Sequence, residues 1–523
     1  RMALQTREQH IKREKATSNI CTAQALLATM AGFYAVYHGQ EGIKNIAKRI
    51  HSIATWLNKA LARLGYVQHN EIFFDTLRFS LPDHVSAQKL RTIALSKEVN
   101  LCYYDNGDVG FSIDETTDLK DVNLLLSIFS IAAEETMQEV TDIPEASSLN
   151  RDLRRRTSFL THEVFNKYHT ETEMMRYIKR LERKDISLAH SMISLGSCTM
   201  KLNAASEMLP LSNLGWMAIH PLVPEDQAKG YQTLINNLSE QLKVITGFAG
   251  ITLQPNSGAA GEYTGLRVIR AYLESIGQGH RNKILIPASA HGTNPASAVQ
   301  CGYTTVTCAC DDKGNVDVED LRAKAEEHKD ELAALMITYP STHGIFEPEI
   351  AEICKIIHKC GAQVYMDGAN MNAQVGLTNP GTIGADVCHL NLHKTFASPH
   401  GGGGPGVGPV CVAEHLVPFL PGHSIFGNST YEVSSAPYGS AGILPITYGY
   451  ICMMGAEGLT RATKTAILSA NYLAACFKDT YGIVYTGATG FVGHEMILDC
   501  RYLHEESGIS ENDIAKRLMD YGY

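Results

Sequence analysis

The chain has 523 residues, of which 44% are hydrophobic and 19% are charged, and its formal net charge is −10. This composition is typical of a globular chain with a large core, and at about 150 residues per domain the length predicts about three or four domains. The negative charge argues against a nucleic-acid-binding surface. The richest apolar run, residues 124–135, is shorter than the roughly 18 residues of a membrane-spanning helix, so we expect no membrane partner.

Thirteen cysteines are scattered along the chain without a CxxC framework. Cys308 and Cys310 are too close in sequence for a disulfide ladder, and we expect both to lie on a strand. This usage favours a reducing compartment. No signal peptide is visible, and the sequence leaves a targeting peptide undecided.

The first part of the chain, residues 1–140, is predicted to form a small α+β subdomain. A long helical pattern precedes three strand-like runs, FDTLRFSL, VNLCYY and VGFSID. Residues 141–240 are predicted to be a connector and an N-terminal arm. They include a basic run that we interpret as a solvated helix face or an interface: Arg151, Arg154, Arg155 and Arg156.

The next part, residues 241–430, is predicted to be a large α/β domain. Helical patterns alternate with strand-like runs near residues 251, 284, 304, 333, 363, 386 and 409. That alternation is typical of a mostly parallel sheet covered by helices, with a ligand outside the carboxyl ends of the strands. A long helix from about residue 440 opens a second small subdomain, residues 431–523.

Two distant helical segments share a pattern that predicts an internal duplication. Residues 38–67 align with residues 454–484 at an offset of 416 positions (454 minus 38). Each begins near a Glu-Gly pair, at Glu41 and at Glu457. Each then leads through a glycine-containing turn into a strand, so the order of elements is repeated as well.

A phosphate site is predicted where the run QPNSGAAGEY (254–263) opens an amphipathic helix. The apolar positions of that helix recur at helical spacing: Leu266, Ile269 and Leu273. Ser257, Gly258 and Ala259 would lie at its N-terminus, where free N–H groups and the helix dipole favour a phosphate. The small residues would let a phosphate approach the backbone. The alternative, an ordinary helix cap, is disfavoured by the two residues described next.

Lys394 and Asp367 form the pair that a pyridoxal phosphate (PLP) enzyme requires. Asp367 ends the apolar run AQVYMD and precedes Lys394, in HLNLHKTF (389–396), by 27 positions (394 minus 367). A lysine holds the aldehyde of PLP as a Schiff base, and a carboxylate facing the pyridine nitrogen keeps that nitrogen protonated. We therefore predict that PLP is bound to Lys394 and faces Asp367.

Loops after two further strand-like runs carry candidate cofactor contacts. His291, in AHGTNPASA (290–298), is predicted to stack on the pyridine ring. Thr342, in TYPSTHGIFE (338–347), is predicted to reach the phenolic oxygen of the cofactor or the substrate. The glycine-rich stretch 398–409 suits close approach of the backbone to cofactor or substrate, or a flexible connector.

A histidine cluster raises the alternative of a metal site. His389 and His393 are four positions apart, and His400 follows. The run ADVCHLNLHK is predicted to be a strand leading into a loop. Residues four apart on a strand are separated by roughly 13 Å, too far to share a metal ion, so we predict no metal.

Several of these motifs together resemble the glycine cleavage system P-protein family, whose members are glycine decarboxylases. They are GSCTMKLN (196–203), QPNSGAAGEY (254–263), AHGTNPASA (290–298), TYPSTHGIFE (338–347), YMDGANMNAQVGL (365–377), HLNLHKTF (389–396) and PHGGGGPGVGP (399–409). The opening stretch, residues 4–28, also resembles the first half of that family. The resemblance therefore extends along nearly the whole chain.

The resemblance implies an α/β, aspartate-aminotransferase-like fold of type I. It implies that glycine loses its carboxylate as CO2 and that the aminomethyl group passes to the lipoyl arm of the H-protein. His393 resembles the histidine that directly precedes the Schiff-base lysine in several PLP decarboxylases, so it is expected to lie by the PLP ring and phosphate. Single-chain members consist of two homologous halves, so the chain is expected to be a fragment that begins late in the first half. A homo-oligomer or a dimer of two-half units is expected, located in the bacterial cytoplasm or the mitochondrial matrix.

Three alternatives stay open at this point. The chain could be another fold type I PLP enzyme, such as an aminotransferase or a cysteine desulfurase. It could be an inactive, truncated chain that serves as a partner surface. Residues 1–140 could also be an independent binding module.

Overall fold

The computed structural model describes residues 25–146, 149, 151–184, 204–399, 406–427 and 431–523. The chain forms two compact units. The smaller unit is Thr29–Leu181, and the larger unit is formed by described residues of Glu182–Tyr523. The boundaries of the four predicted domains stay predictions.

The smaller unit has an α+β arrangement. Its elements are α1 (Ala25–Arg63), β1 (Val67–Gln68), β2 (Thr76–Ser80), α2 (Ala87–Ser96), β3 (Cys102–Tyr103), β4 (Val109–Ser112), α3 (Leu119–Ala132) and α4 (Glu171–Glu182). The strands form an antiparallel sheet in the order β1-β2-β4-β3. Residues of α1, the sheet and α3 share one core, which includes Leu57, Phe79 and Phe129. The predicted helix and the three predicted strand-like runs are all present.

The larger unit alternates strands and helices. Its elements are α5 (Ala205–Met208), α6 (Leu214–Met217), α7 (Lys229–Thr246), β5 (Gly250–Thr252), α8 (Gly258–Ser275), β6 (Lys283–Pro287), α9 (Thr293–Gln300), β7 (Thr304–Cys308), α10 (Val318–Glu327), β8 (Leu332–Thr338), α11 (Ile350–Lys359), β9 (Gln363–Gly368), α12 (Pro380–Ile383), β10 (Val387–Leu390), α13 (Leu392–Thr395), β11 (Val410–Val412), α14 (Leu444–Phe477), α15 (Arg501–Ser507) and α16 (Glu511–Asp520).

These strands form one mixed sheet in the order β5-β11-β10-β9-β8-β6-β7. The five strands from β10 to β7 pair in parallel, whereas β11 pairs antiparallel with both β10 and β5. All seven predicted strand positions are confirmed. The prediction of a mostly parallel sheet is confirmed as well.

Each face of the sheet has its own hydrophobic core. Along β8, Leu335 and Ile337 belong to one core, and Met336 belongs to the other, because successive side chains of a strand point to opposite faces. Helix α8 covers the second face with Leu266, Ile269 and Leu273, the helical positions expected from the sequence. Helices α7, α10, α11 and α14 contribute to the first core.

The parallel arrangement determines where a site can form. Asp367 lies near the end of β9, and β10 leads directly into α13, which carries Lys394. The two strands are parallel neighbours, and the Cα of Asp367 pairs with that of His389. Since parallel neighbours end at the same edge of a sheet, Asp367 and Lys394 are brought to one place.

The two long helices, α1 and α14, support the predicted duplication. Each is interrupted at one glycine with nearly the same backbone angles, Gly39 (φ 62°, ψ −172°) and Gly455 (φ 59°, ψ −178°). These positions are 416 residues apart (455 minus 39), which is the offset found in the sequence. The antiparallel pairings that follow, at Val67 and at Ile483, have the same offset.

No helix among the described residues combines the length and the apolar composition needed to cross a membrane.

Substituting the two break glycines should destabilise the fold. Gly39→Ala and Gly455→Ala put a Cβ at backbone angles that are almost restricted to glycine, which should lower the free energy of unfolding by about 1–3 kcal/mol each. Gly39→Ala should be worse, because its Cβ would lie 2.6 Å from the carbonyl oxygen of Phe165, whereas nothing lies within 4 Å at Gly455. Urea unfolding followed by circular dichroism measures both.

Two glycines in the same helices serve as controls. A Cβ at Gly32 or Gly449 would meet no atom within 4 Å, and neither residue has a positive φ. Alanine at these positions should raise the free energy of unfolding by about 0.5–1 kcal/mol. A loss at Gly32 as large as that at Gly39 would contradict this explanation.

Candidate active site

A buried pocket lies at the carboxyl ends of β9 and β10. Its lining residues are Gly258, Ala259, Glu262, His291, Thr293, Asp367, Ala369, His389, Asn391, His393 and Lys394. Six of the eight predicted site residues belong to this set: Lys394, Asp367, His291, His393, Gly258 and Ala259. Lys394, Asp367 and His393 are each at most 3% exposed, so charged and polar groups converge there away from water.

Asp367 is held by its neighbours in the ionised form. The backbone N–H of Ala369 donates to its Oδ1 at 2.9 Å, and His389 Nε2 lies 3.4 Å from the same oxygen. Burial by itself would raise the pKa of Asp367, but His389, His291, the Ala369 N–H and Lys394 together lower it below the ordinary value. Asp367 can therefore present a negative charge deep in the pocket.

His389 is fixed on its other side by Tyr365, whose hydroxyl lies 2.8 Å from Nδ1. Burial lowers the pKa of His389, so its imidazole stays neutral at neutral pH. With the tyrosine hydroxyl donating to Nδ1, the ring proton is on Nε2 and faces Asp367. The Tyr365 hydroxyl is hydrogen-bonded to His389, and the other ring nitrogen of His389 lies beside the Asp367 carboxylate, so the three buried side chains lie in a row.

The first turn of α8 forms another wall of the pocket. The hydroxyl oxygen of Ser257 accepts a hydrogen bond from the Ala260 N–H at 2.9 Å, which is an ordinary N-cap. A Cβ at Gly258 would lie 2.2 Å from Asn391 Oδ1, so only glycine fits here without movement. That amide oxygen is buried and has no hydrogen-bond partner among the described residues.

The described end of the glycine-rich stretch packs against the same turn. A Cβ at Gly406 would lie 2.2 Å from the carbonyl oxygen of Asn256, and one at Gly408 would lie 2.0 Å from that of Ser257. The glycines here serve a close approach of backbone to backbone. Residues 400–405, and with them His400, lie outside the described part of the chain.

Ser257 and Thr342, two of the predicted cofactor contacts, form hydrogen bonds within the protein. The hydroxyl oxygen of Ser257 caps the helix by accepting from the Ala260 N–H, and Ser257 is not among the pocket residues. The hydroxyl of Thr342 donates to the carbonyl oxygen of Ser289, and Thr342 is not among the pocket residues. The roles of Ser257 and Thr342 stay predictions. The loop predicted around Lys394 is wrong, since residues Leu392–Thr395 form a short helix.

Glu262, which also lines the pocket, was not predicted from the sequence. The hydroxyl of Ser297 donates to its Oε2 at 2.7 Å, and Thr293 Oγ1 lies 2.6 Å from its Oε1. Burial, followed by the charge of Asp367, raises the pKa of Glu262 to about 8. A signal was present, because Glu262 is four positions before Leu266 and so falls on the apolar face of α8.

His494 and Glu495 were also missed. Burial and the charge of Lys394 lower the pKa of His494 to about 4, so its ring is neutral. Both ring nitrogens are buried and lack a hydrogen-bond partner within the described residues, although Nε2 lies 3.8 Å from Glu495 Oε1. Burial raises the pKa of Glu495, and Lys394 partly offsets that effect. Nothing in the sequence indicates that this distant segment faces Lys394.

Donor atoms of Glu262, Asp367 and His389 lie within 4.8 Å of one another. This set differs from the histidine cluster considered from the sequence, which included His393 and His400. Both Glu262 oxygens already have hydroxyl partners, and His389 Nδ1 is engaged by Tyr365. We therefore interpret Glu262, Asp367 and His389 as hydrogen-bonding groups of the pocket rather than as metal ligands.

Comparison with known proteins identifies the family. The family profile described as glycine cleavage system P-protein matches residues 1–129 and 135–436. The chain belongs to the glycine cleavage system P-protein family. A second profile, described as the C-terminal domain of glycine dehydrogenase, matches residues 462–523.

Relatives of this P-protein-family chain are named glycine dehydrogenase (decarboxylating). Those from Bacteroides fragilis (strain YCH46) and Bacteroides thetaiotaomicron are 81% and 82% identical over the whole chain, and one from Nostoc sp. is 57% identical. The chain spans 55% of the length of each Bacteroides relative and 54% of the Nostoc relative.

Solved structures agree on the fold. A crystal structure described as glycine decarboxylase (P-protein) of the glycine cleavage system, in inhibitor-bound form, has a TM-score of 0.53 at 16% identity, and covers 66% of this chain and 79% of that one. Glutamate decarboxylase from Lactobacillus brevis has a TM-score of 0.50 at 13% identity, with 64% and 78% covered. The P-protein-family chain therefore has the fold type I architecture of PLP-dependent enzymes.

Gly408→Ala should disrupt the pocket wall. Its Cβ would clash with the backbone of Ser257, and no side-chain rotation can relieve a clash between backbone and Cβ. We expect about 1–3 kcal/mol less unfolding free energy, as for other overpacked interiors. Gly230→Ala, in α7, meets no atom within 4 Å and is the control. Equal thermal midpoints for the Gly408 variant and the parent would refute the close approach.

Proposed function

We propose that this chain carries the decarboxylation site of a glycine decarboxylase, with PLP held on Lys394. The observation that carries the proposal is the convergence of Lys394 and Asp367 in one buried pocket at the carboxyl ends of β9 and β10. Membership of the P-protein family and the names of the relatives support it.

The residues present fit PLP. Lys394 is a buried amine that can bond the aldehyde, and Asp367 is an ionised carboxylate for the pyridine nitrogen. The N-terminus of α8, with Gly258 and Ala259 exposed to the pocket, offers N–H groups to a phosphate. His291 provides a flat ring in the same pocket. When bound, PLP supplies an electron sink for the pair left by a broken bond.

The side chains then divide the work. The negative charge of Asp367, supported by the Ala369 N–H and His389, would hold a proton on the pyridine nitrogen of bound PLP. Burial of the pocket excludes water and strengthens these electrostatic interactions. Glycine offers no side chain to grip, so a small pocket must discriminate against larger amino acids.

His494 is our candidate for the glycine carboxylate. It is neutral, lies within electrostatic range of Lys394, and has buried ring nitrogens with no hydrogen-bond partner among the described residues. Unsatisfied buried groups call for an explanation, and a ligand carboxylate would accept the ring N–H. A neutral donor also leaves the carboxylate less stabilised than an arginine would, which favours its loss as CO2.

Two further parts of the proposal are supported by family membership alone. The aminomethyl group would pass to the lipoyl arm of the H-protein, and the protein would assemble as a homo-oligomer or a dimer of two-half units. Because the chain spans about half the length of its relatives, both are proposals about a longer protein.

Lys394 should be the residue that bonds PLP. After incubation with PLP, reduction with borohydride should attach a pyridoxyl group to the peptide that contains Lys394, because only this lysine lies in the pocket among the described residues. Peptide mapping by mass spectrometry locates the group, and Lys394→Arg is the control that should stay unlabelled. Labelling of another lysine, for example Lys201, would sink the assignment.

Asp367→Asn should keep PLP bound but remove most decarboxylation. Without the anion the ring nitrogen is less protonated, which should cost several kcal/mol, or at least about 100-fold in rate. The measurement is exchange of labelled CO2 with glycine in the presence of H-protein, and Asp226→Asn, at an exposed position, is the control. An activity within about threefold of the parent, on the order of 0.7 kcal/mol, would contradict the role.

Measuring keto acid and CO2 in the same reaction separates the alternative functions. An aminotransferase would form a keto acid from its amino-acid substrate, whereas a decarboxylase releases CO2. Formation of keto acid without CO2 would replace the proposal with another fold type I activity.

A further inference from the structure

A row of hydrogen-bonding atoms joins Glu262 to His291. Thr293 Oγ1 lies 2.6 Å from Glu262 Oε1 and 2.7 Å from His291 Nδ1. The backbone N–H of Thr293 also donates to His291 Nδ1, at 3.2 Å. Ser297 closes the other end by donating its hydroxyl proton to Glu262 Oε2 at 2.7 Å.

The proton count along this row permits one consistent arrangement. The Thr293 hydroxyl has a single proton, which it can give to Glu262 or to His291. If it went to Glu262, His291 would have to donate from Nδ1, and that proton would oppose the Thr293 backbone N–H. If it goes to His291, the single lone pair of Nδ1 is shared between the Thr293 hydroxyl and the more distant backbone N–H, and Glu262 must itself donate to Thr293 Oγ1. Only a protonated carboxyl group can do so.

We propose that Glu262, as a carboxylic acid, is a positioning residue that fixes the tautomer and orientation of His291 through Thr293. The row then runs in one direction, from the Glu262 carboxyl through the Thr293 hydroxyl to His291 Nδ1. The ring proton of His291 is on Nε2. The consequence for a stacked PLP ring rests on the proposed function, but the row itself does not.

The surroundings of Glu262 favour the acid form. The side chain is only 3% exposed, and burial together with the charge of Asp367 raises its pKa to about 8. The hydroxyls of Thr293 and Ser297 and the charge of Lys394 act in the opposite direction. A ring nitrogen of His389 lies within 4.8 Å of carboxyl oxygens of Glu262 and Asp367. Tyr365 stays neutral because its own pKa is raised well above 10. At neutral pH, Glu262 therefore keeps its proton.

Ionisation of Glu262 should reverse the direction of the hydrogen bonds between Glu262, Thr293 and His291. An ionised Glu262 accepts from Thr293, so the hydroxyl proton turns away from His291. Nδ1 must then carry the proton of the neutral ring to keep its contact with Thr293 Oγ1, and the ring must turn away from the Thr293 backbone N–H. One proton leaves Glu262 for solvent, and the proton on His291 moves from Nε2 to Nδ1. The row is thus sensitive to pH near 8.

The test is the tautomer of His291, read by NMR on the full chain labelled with 13C and 15N in histidine. His291→Gln identifies the signal. In the protein without PLP at pH 7, the ring should be the Nε2–H tautomer, and it should change to Nδ1–H as the pH passes about 8. This readout does not require activity, so it distinguishes failure of the row from failure of the proposed function.

Four variants sharpen the test. In Glu262→Gln, the amide N–H2 donates permanently to Thr293, so the Nε2–H tautomer should persist at all pH values. Ser297→Ala removes a hydrogen bond that favours the ionised carboxylate, so the transition should move to higher pH. Thr293→Val should abolish the link, and Thr293→Ser should restore it. The control, Glu274→Gln, lies on the exposed side of the same helix and should leave the transition unchanged.

In the PLP-loaded parent, the rate of decarboxylation should fall over the pH range in which Glu262 ionises. In the PLP-loaded Glu262→Gln variant, the rate should not fall over that range. An Nδ1–H tautomer in the parent at pH 7 would overturn the proposal. So would a transition near pH 8 that is the same in the parent and in Glu262→Gln. If Glu262→Gln failed to fold, Ser297→Ala and Thr293→Ser would still decide between these outcomes.

Discussion

The site depends on the parallel pairing of β9 with β10. That pairing sets Asp367 beside His389 and brings the end of β10, with Lys394 one helical turn beyond it, to the same edge of the sheet. A slip of one residue in this register would turn every side chain of the strand to the other face, and would move Asp367 out of the pocket. The two apolar cores hold the register, because buried side chains alternate between the two faces along these strands.

Burial makes the charges of the pocket interdependent. Glu262, Asp367 and Lys394 are all nearly inaccessible to water, and isolated charges in such an environment are very unfavourable. With Glu262 protonated, the negative charge of the two carboxyl groups is confined to Asp367. The pKa of Asp367 is lowered while that of Glu262 is raised, a divergence that is common where two carboxyl groups take different roles.

Close backbone contacts form the other constraint. Gly258, Gly406 and Gly408 leave no space for a Cβ beside the start of α8, since Gly258 faces the side chain of Asn391 and the other two face the backbone of Asn256 and Ser257. This arrangement presents N–H groups to the pocket and uses Ser257 as a cap.

Much of the architecture could be predicted from local patterns. The seven strands, the amphipathic face of α8 and the equivalent long helices follow from apolar spacing and glycine positions, since these depend on residues near one another in sequence. The identity of Lys394 and Asp367 as a pair followed from their places after two strands. The Gly39 and Gly455 breaks show that even the repeat in the sequence corresponds to a repeat in backbone geometry.

The sequence by itself determined the class of fold, the family and the residues whose chemistry is unusual enough to be recognised in isolation. Only the tertiary structure decided what surrounds them. Glu262 gained its raised pKa from burial beside Asp367, and Thr342 was drawn to the Ser289 carbonyl instead of the pocket. His494, 100 residues away in the sequence (494 minus 394), lies close enough to Lys394 for the lysine charge to lower its pKa. Long-range packing brings together groups that no local pattern relates.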